Sequence, residues 1–394
     1  MSSTLYSIRL ATLAAALCFS LVPAIARDSA PGPRPGDTGV DEIHDPGTTV
    51  VDLSTLSGLD ALIAKLADKR VVFVGESHDR YDHHLNQLAV IRGLHAQGKP
   101  LAIGMEFFQQ PFQEHLDAFV AGEITEKEML RRTDYFERWR YDYRLYRPIL
   151  RFAREQGIPV IALNLEREIT SKVGEGGIES LGEAERARIP VEIDRDDQAY
   201  RERLKAVFAH HPQSQERNFE HFLSVQLLWD EGMAERAADY LSEHPDRRMV
   251  ILAGTGHLEY GQGIPKRLLR RLSADSAILL NGSSRELDPE IADYVLYSSR
   301  VELPAAGLLG VLLDTESGGS GIAVQGFSEN SGAAAAGMKE NDRIVRVGEE
   351  DIASYADIRI ALMGSRPGQK MPVEVERQRL IGDPEHVSME VELH

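Results

Sequence analysis

The chain has 394 residues, 42% of them apolar and 27% charged, which suits a soluble globular protein with room for two domains. Sixty-two acidic residues against 44 basic ones give a net charge of −18 at pH 7, and such acidity argues against nucleic acid or an anionic membrane surface as partner. Cys18 is the only cysteine, so disulfide scaffolds and thiolate chemistry are excluded.

Arg9 precedes an apolar run from Leu10 to Ile25 that ends in Ala24-Ile25-Ala26. This is the small-x-small pattern of a secretory signal, residues 1–26, cut after Ala26. The run falls short of the ~20 apolar residues that span a bilayer. Leu17 occupies the position before Cys18 where lipoprotein processing wants a small residue, so lipid anchoring is disfavoured. The mature chain is expected in the periplasm or secreted. Residues 27–44 are rich in Pro, Gly and Asp and read as a flexible spacer. A first domain is expected over 45–300 and a second over 301–394.

Val50–Ala67 reads as a short strand and a helix. Val71–Val74 is a buried strand that runs into Gly75-Glu76-Ser77-His78, and Leu85, Leu88, Ala89, Ile91 and Leu94 mark the helix behind it. The second strand, Leu101–Met105, ends in Glu106. A long helical region follows, with a run of aromatics and arginines over 135–147, before the third strand at 159–164. Residues 174–248 form a polar helical insertion with an amphipathic piece at 219–241. The next strand, Met249–Ala253, ends in Gly254-Thr255-Gly256-His257, repeating the Gly-x-x-His form of the first. Ala277–Asn281 is a fifth strand and 292–297 an edge strand. Strands alternating with helices give an α/β fold with a mostly parallel sheet and a helical insertion. Past Pro304, short strands and Gly-rich turns indicate a small α+β domain.

Ligands bind outside the carboxyl ends of strands in such sheets. Glu76, His78, Glu106 and His257 all stand at strand ends. His78, Glu106 and His257 could ligate a divalent metal such as zinc or manganese, or non-haem iron. The same groups could work without a metal, with a histidine as general base and a glutamate orienting water. A third reading makes them caps of the following helices. His84, six residues after His78, can point back to the crevice. Gln226, Asp230 and Met233 share a helical face that suits a pocket wall, or else Asp230 serves a salt bridge. In the 135–147 run, a tyrosine can ligate ferric haem iron and arginines can pair with the propionates; the competing reading is aromatic core. The sequence has no G-x-S-x-G, H-E-x-x-H or Walker motif, and no G-x-G-x-x-G after the first strand. A lone cysteine also rules out c-type haem attachment.

In order along the chain, VVFVGESHDRYDHHLNQL, GMEFFQ, YRPILRFAREQGIPVIALN, QLLWDEGMA and ILAGTGHLEYGQGIPKRL resemble the ChaN-like haem-binding uptake proteins. That group shares a superfamily with the Tiki/TraB proteins and the erythromycin esterases, and the resemblance covers roughly 45–285. It implies an exported α/β protein that binds haem or an iron-containing ligand, with a homodimer holding haem between subunits as one arrangement. Gly75, Glu76, His78, Glu106, Gly254 and His257 then form the superfamily's strand-end site, and His78, His84, Tyr135, Tyr146, Gln226, Asp230 and His257 are the candidates for contact with the cofactor. In the Tiki-like and esterase-like branches the same histidines and glutamates imply hydrolysis of a peptide or ester, with or without a metal.

Leu308-Leu309-Gly310-Val311, followed by SGAAAAGMKENDRIVRVG, resembles a PDZ domain of the bacterial protease-associated type. The resemblance implies a carboxylate-binding loop at 308–311, a groove wall from Ile358, Ala361 and Leu362, and a peptide or protein C-terminus as partner.

Overall fold

The computed structural model describes residues 51–210, 218–282, 288–316, 318–379 and 381–394; the expected signal at 1–26 and spacer at 27–44 lie outside them. The chain divides into two compact units. Among the described residues, one comprises those up to Ser77, Leu85–Glu106 and Leu163–Ser299; the other comprises His78–His84, Phe107–Ala162 and Arg300–His394.

Six strands, β1 (Val71–Glu76), β2 (Leu101–Gln109), β3 (Val160–Asn164), β4 (Arg248–Gly254), β5 (Ser276–Asn281) and β6 (Tyr294–Leu296), form a sheet in the order β3-β2-β4-β1-β5-β6. β1 pairs in parallel with β4 on one side and β5 on the other. Parallel strands covered on both faces read as unbroken apolar runs, and every residue of β1 and β4 is buried. The register sets Gly75 beside Ala253 and Glu76 beside Gly254, so the carboxyl ends of β1 and β4 are neighbours. The side chains behind them pin the β1 backbone. Gln87 donates to the Val74 carbonyl at 3.0 Å, Asn281 to that of Gly75 at 2.7 Å, and Thr255 to that of Glu76 at 3.2 Å.

Helices α1 (Leu59–Lys65) and α2 (Tyr81–Ala96) flank β1 in the chain, and α3 (Gln113–Val120), α4 (Glu126–Arg132), α5 (Tyr135–Arg138) and α6 (Arg147–Gln156) lie between β2 and β3. The Thr125–Glu128 capping box starts α4. Helix α7 (Arg167–Gly176) leads from β3 into the expected insertion at 174–248, which holds α8 (Glu183–Arg186), α9 (Gln198–Ala209) and α10 (Phe219–Glu243), and α11 (Ile264–Arg271) leads to β5. The sequence also suggested a strand at the start of 50–67. Val50 lies outside the described residues, and Leu53–Thr55 is a single 3-10 turn capped by Asp52. Leu53 and Leu56 there are 73% and 68% exposed, so no neighbour covers them and no ladder forms. Among the described residues no helix is long and apolar enough to cross a membrane.

The second unit ends in an antiparallel sheet. Strands β7 (Val311–Asp314), β8 (Ile322–Phe327), β9 (Arg343–Val347), β10 (Glu350–Asp351), β11 (Lys370–Arg377) and β12 (Glu385–Glu392) run in the order β12-β11-β9-β8-β7, with β10 on β9. Short α12 (Gly332–Ala335) and α13 (Tyr355–Leu362) complete it. Leu309, Val324, Ile344, Ile358, Val373 and Val391 form its core. A Ser354–Asp357 capping box starts α13.

Candidate functional site

In the first unit the strand ends carry a buried chain of acids and an imidazole. His257 follows β4, Glu106 lies on β2, Asp230 is midway along α10 and Tyr200 is in the first turn of α9. The Tyr200 hydroxyl donates to Asp230 Oδ2 at 2.5 Å, and Asp230 Oδ1 lies 2.6 Å from His257 Nδ1. His257 Nε2 lies 3.5 Å from Glu106 Oε1, while Glu106 Oε2 accepts the Gly254 amide at 2.7 Å. Burial disfavours a charged imidazole, but the Glu106 and Asp230 carboxylates outweigh it and raise the His257 pKa to about 9. His257 is therefore protonated at neutral pH, with Nδ1 hydrogen-bonded to Asp230 and Nε2 facing the Glu106 carboxylate, and that state suits an acid or a fixed cation better than a general base. Burial and the neighbouring Asp230 carboxylate push the Tyr200 phenol well above its ordinary value.

The sequence allowed no close approach to be seen here, yet one is imposed by Gly263. A Cβ at that position would lie 2.1 Å from the His257 carbonyl and 2.9 Å from Asp230 Oδ2. Nearby, Glu231 is fully buried and braces α10 to α11 through Arg270 and Arg271 at 2.7 and 2.6 Å. Glu76 is buried at the end of β1, and Gln226 is half-buried one turn before Asp230. Met233 is core. Among the described residues no three His, Cys, Asp or Glu side chains cluster as a metal site.

The second unit gathers the aromatic residues. The His78 ring stands 4.8 Å from Trp139 and 4.9 Å from Tyr141. The His78 carbonyl accepts from the Tyr146 hydroxyl at 3.2 Å and lies 3.2 Å from His84 Nε2. Trp139 Nε1 in turn donates to the Tyr146 oxygen at 3.0 Å, and His84 and Tyr146 rings meet at 4.4 Å. Tyr146 is thus an internal strut. Tyr135 is 1% exposed and packs against Phe136 and Tyr143.

Beside this cluster opens a cleft of about 340 Å³. Its lining includes Arg80, Tyr81, Arg140, Tyr141, Asp142 and Arg300, with Leu145, Val301 and Leu303 as its apolar part. The three guanidiniums share the cleft with two phenols and with the carboxylates of Asp79, Asp142 and Glu302, and they can pair the carboxylates of a flat ligand. Arg80 is held by Asp82 through two contacts of 2.9 Å. Arg140 has φ +69°, a left-handed backbone that a non-glycine residue adopts at a cost. None of the seven residues singled out as cofactor contacts lines this cleft. The 135–147 run did point to the stretch that supplies Arg140 and Tyr141, and Arg80 and Tyr81 lie within the VVFVGESHDRYDHHLNQL block, whereas Arg300 carries no periodic or motif signal.

At the PDZ-like end, Gly310 has φ +78°, and the amides of Leu309 and Gly310 make no hydrogen bond within the described chain. Two adjacent amides at a left-handed turn form a nest for a carboxylate. The Leu308 amide is committed to the His394 carbonyl at 3.0 Å. β7 is an edge strand beside this loop; Leu308 and Leu312 are 50% and 54% exposed, while Ile358 and Leu362 of α13 are buried and Ala361 is partly so.

A family model described as "Haem-binding uptake, Tiki superfamily, ChaN" matches residues 62–268, more than half of the chain, and a PDZ model matches 307–393. Among solved structures, one of cofacial haem binding to ChaN of Campylobacter jejuni is 19% identical, covers 60% of this chain and 90% of its own, and has a TM-score of 0.49. The HtrA-type protease AlgW with a decapeptide is 22% identical over 22% of this chain and 29% of its own, with a TM-score of 0.20. Among curated proteins, the chloroplastic Protein RETICULATA-RELATED 5 of Arabidopsis thaliana is 24% identical over 265 residues, 60% of this chain. The match spans 35% of that relative's length.

Proposed function

The chain belongs to the ChaN family of haem-binding uptake proteins in the Tiki superfamily and carries a PDZ domain, and from that premise we propose that it is an exported protein that binds haem, or a related iron-bearing ligand, in the service of iron uptake. The observation that carries the reading is the cleft lined by Tyr81, Tyr141 and three arginines. Haem, when bound, would bring a flat apolar ring, an iron able to take a phenolate ligand and two carboxylates. Tyr141 or Tyr81 would offer the iron a phenolate oxygen. Arg80, Arg140 and Arg300 would pair the carboxylates, and Leu145 and Val301 would cover apolar ring edge. At about 340 Å³ the cleft is small for a ligand site and takes one edge of such a ring, which accords with a homodimer enclosing the rest.

In this reading the PDZ domain captures a peptide or protein C-terminus, whose carboxylate meets the Leu309 and Gly310 amides while its strand extends β7. Export rests on the sequence of residues 1–26, and the amino terminus of the mature protein recovered from the periplasm or medium tests it. A His/Glu-assisted hydrolase is the second reading, favoured by the Asp230 carboxylate that orients His257. The imidazolium at neutral pH counts against His257 as the base of such an enzyme.

Titration of the mature protein with hemin, followed by absorbance, tests the first reading. A saturable Soret shift that weakens in Tyr141→Phe and Arg140→Ala supports it. No shift in the wild type sinks it, and metal-free or metal-dependent ester or peptide turnover would then favour the second.

A further inference from the structure

We propose that the cleft is a composite site, closed on one side by the segment leading into the PDZ domain, and that peptide capture in the PDZ groove tightens the hold of the cleft on a carboxylate-bearing ligand. This inference rests on the proposed function of that cleft.

The first support is the lining itself. Arg80 comes from the loop after β1 and Tyr81 from the start of α2, and Arg140 to Leu145 come from the turn between α5 and α6. Arg300 to Leu303 immediately precede the PDZ domain. One of the three guanidiniums on the cleft is therefore supplied from the segment that precedes the PDZ domain, and among the described residues it pairs with Glu302, itself on the lining, at 2.5 Å.

The second support is how that wall is held. Asp142, on the rim, takes a bidentate grip from Arg144, with Nη2 at 2.7 Å. Arg144 also donates through Nη1 to the Pro304 carbonyl at 2.8 Å, tying the rim to the segment across the cleft. From the PDZ side, Arg359 on α13 reaches the same Asp142 at 3.4 Å and stacks over the Phe136 ring at 5.4 Å. Burial opposes charge on Asp142, but Arg144 and Arg359 outweigh it and hold its carboxyl below the usual range.

The third support is which PDZ element makes these contacts. Helix α13 gives Ile358 and Leu362 to the PDZ core, beside which a peptide is expected to lie. Its two charged residues, Asp357 and Arg359, face α4 and α5. Arg131 on α4 donates to Asp357 at 2.8 Å and also grips Glu350, which Lys127 meets at 2.5 Å. A helix wedged between a bound peptide and α4–α5 loses freedom once. A ligand in the cleft that needs Asp142 and the 300–304 segment ordered then has less ordering left to supply, which is positive cooperativity without a change of shape. Linkage makes the effect reciprocal.

The test uses the full mature chain. The peptide probe is the tightest binder from a panel of decapeptides varied in their last three residues, with its C-terminal amide as control; the cleft probe is hemin. Saturating peptide is expected to lower the hemin Kd by about five-fold or more, hemin to lower the peptide Kd by the same factor, and the amide to do neither. Arg359→Gln abolishes the reciprocal shift, whatever it does to each separate affinity, and Arg131→Gln weakens the shift. Hydrogen exchange supplies a readout independent of hemin: peptide slows exchange at 140–146 and 300–304 in the wild type but not in Arg359→Gln. Protection without hemin binding keeps the coupling and discards haem as the ligand. Peptide binding with neither protection nor a Kd shift overturns the proposal, as does a panel in which no peptide binds.

Discussion

His257 and Asp230 are joined through Nδ1 and Oδ1 at 2.6 Å, with both side chains almost wholly buried. An acid at one nitrogen and Glu106 at the other make a cation fixed between two carboxylates, and the stability of the first unit depends on its proton.

The folded His257 pKa of about 9 exceeds the ordinary 6.5, so its stabilising charge is fully present below about 6.5 and is lost as pH rises through 9. The contribution is on the order of 3 kcal/mol. Urea midpoints of the wild type should fall over that window. His257→Gln should be less stable by about 3–5 kcal/mol at neutral pH, because two buried carboxylates lose their cation, and should show a flatter profile between those pH values. Parallel profiles for the two proteins would refute the assignment.

Gly263→Ala should disturb the same network from behind. Its methyl would press on the His257 carbonyl, a backbone atom that cannot rotate away, and the expected loss is about 3 kcal/mol. Gly58→Ala is the control, since a Cβ there meets nothing within 4 Å, and its thermal midpoint should stay close to wild type.

Arg140→Gly should do two opposite things. Relief of the left-handed backbone should stabilise the chain by up to about 1 kcal/mol, while loss of the guanidinium should weaken hemin binding several-fold. Arg140→Lys should keep the strain and restore part of the affinity. Thermal melts and hemin titrations on the same samples separate strain from charge.

Gly310→Ala should abolish peptide binding in the PDZ groove. The position needs φ +78°, and a Cβ there would lie 2.8 Å from the Ser331 backbone. Fluorescence anisotropy with a labelled C-terminal peptide checks this, and unchanged affinity would remove the loop amides from the site.

Much of the architecture was legible because parallel strands buried on both faces leave unbroken apolar runs, as at Val71–Val74 and Met249–Ala253. The two Gly-x-x-His ends were read as a shared site, and β1 and β4, which carry them, are neighbours in the sheet, as the Glu76–Gly254 register shows. The relay was only half legible. Asp230 was read as a pocket wall or a salt-bridge partner, and Tyr200 drew no notice, since a single tyrosine in a polar helix gives no periodic signal. The cleft was illegible for a different reason. Arg80, Arg140 and Arg300 come from three stretches far apart in sequence, and only folding measures the distance between them. The strand suggested near Val50 failed where composition alone suggested extended chain without a neighbour to pair with.

Helix α13 has both of its faces in use, one in the PDZ core and the other, through Asp357 and Arg359, against α4, α5 and Asp142. A PDZ fragment excised at residue 301 would strip Glu350 and Asp357 of the cations that hold their carboxyls low, and would turn an engaged helix face toward water. Peptide selectivity measured on that fragment would describe a looser helix than the parent carries. Truncation, in this protein, changes the reagent along with the question.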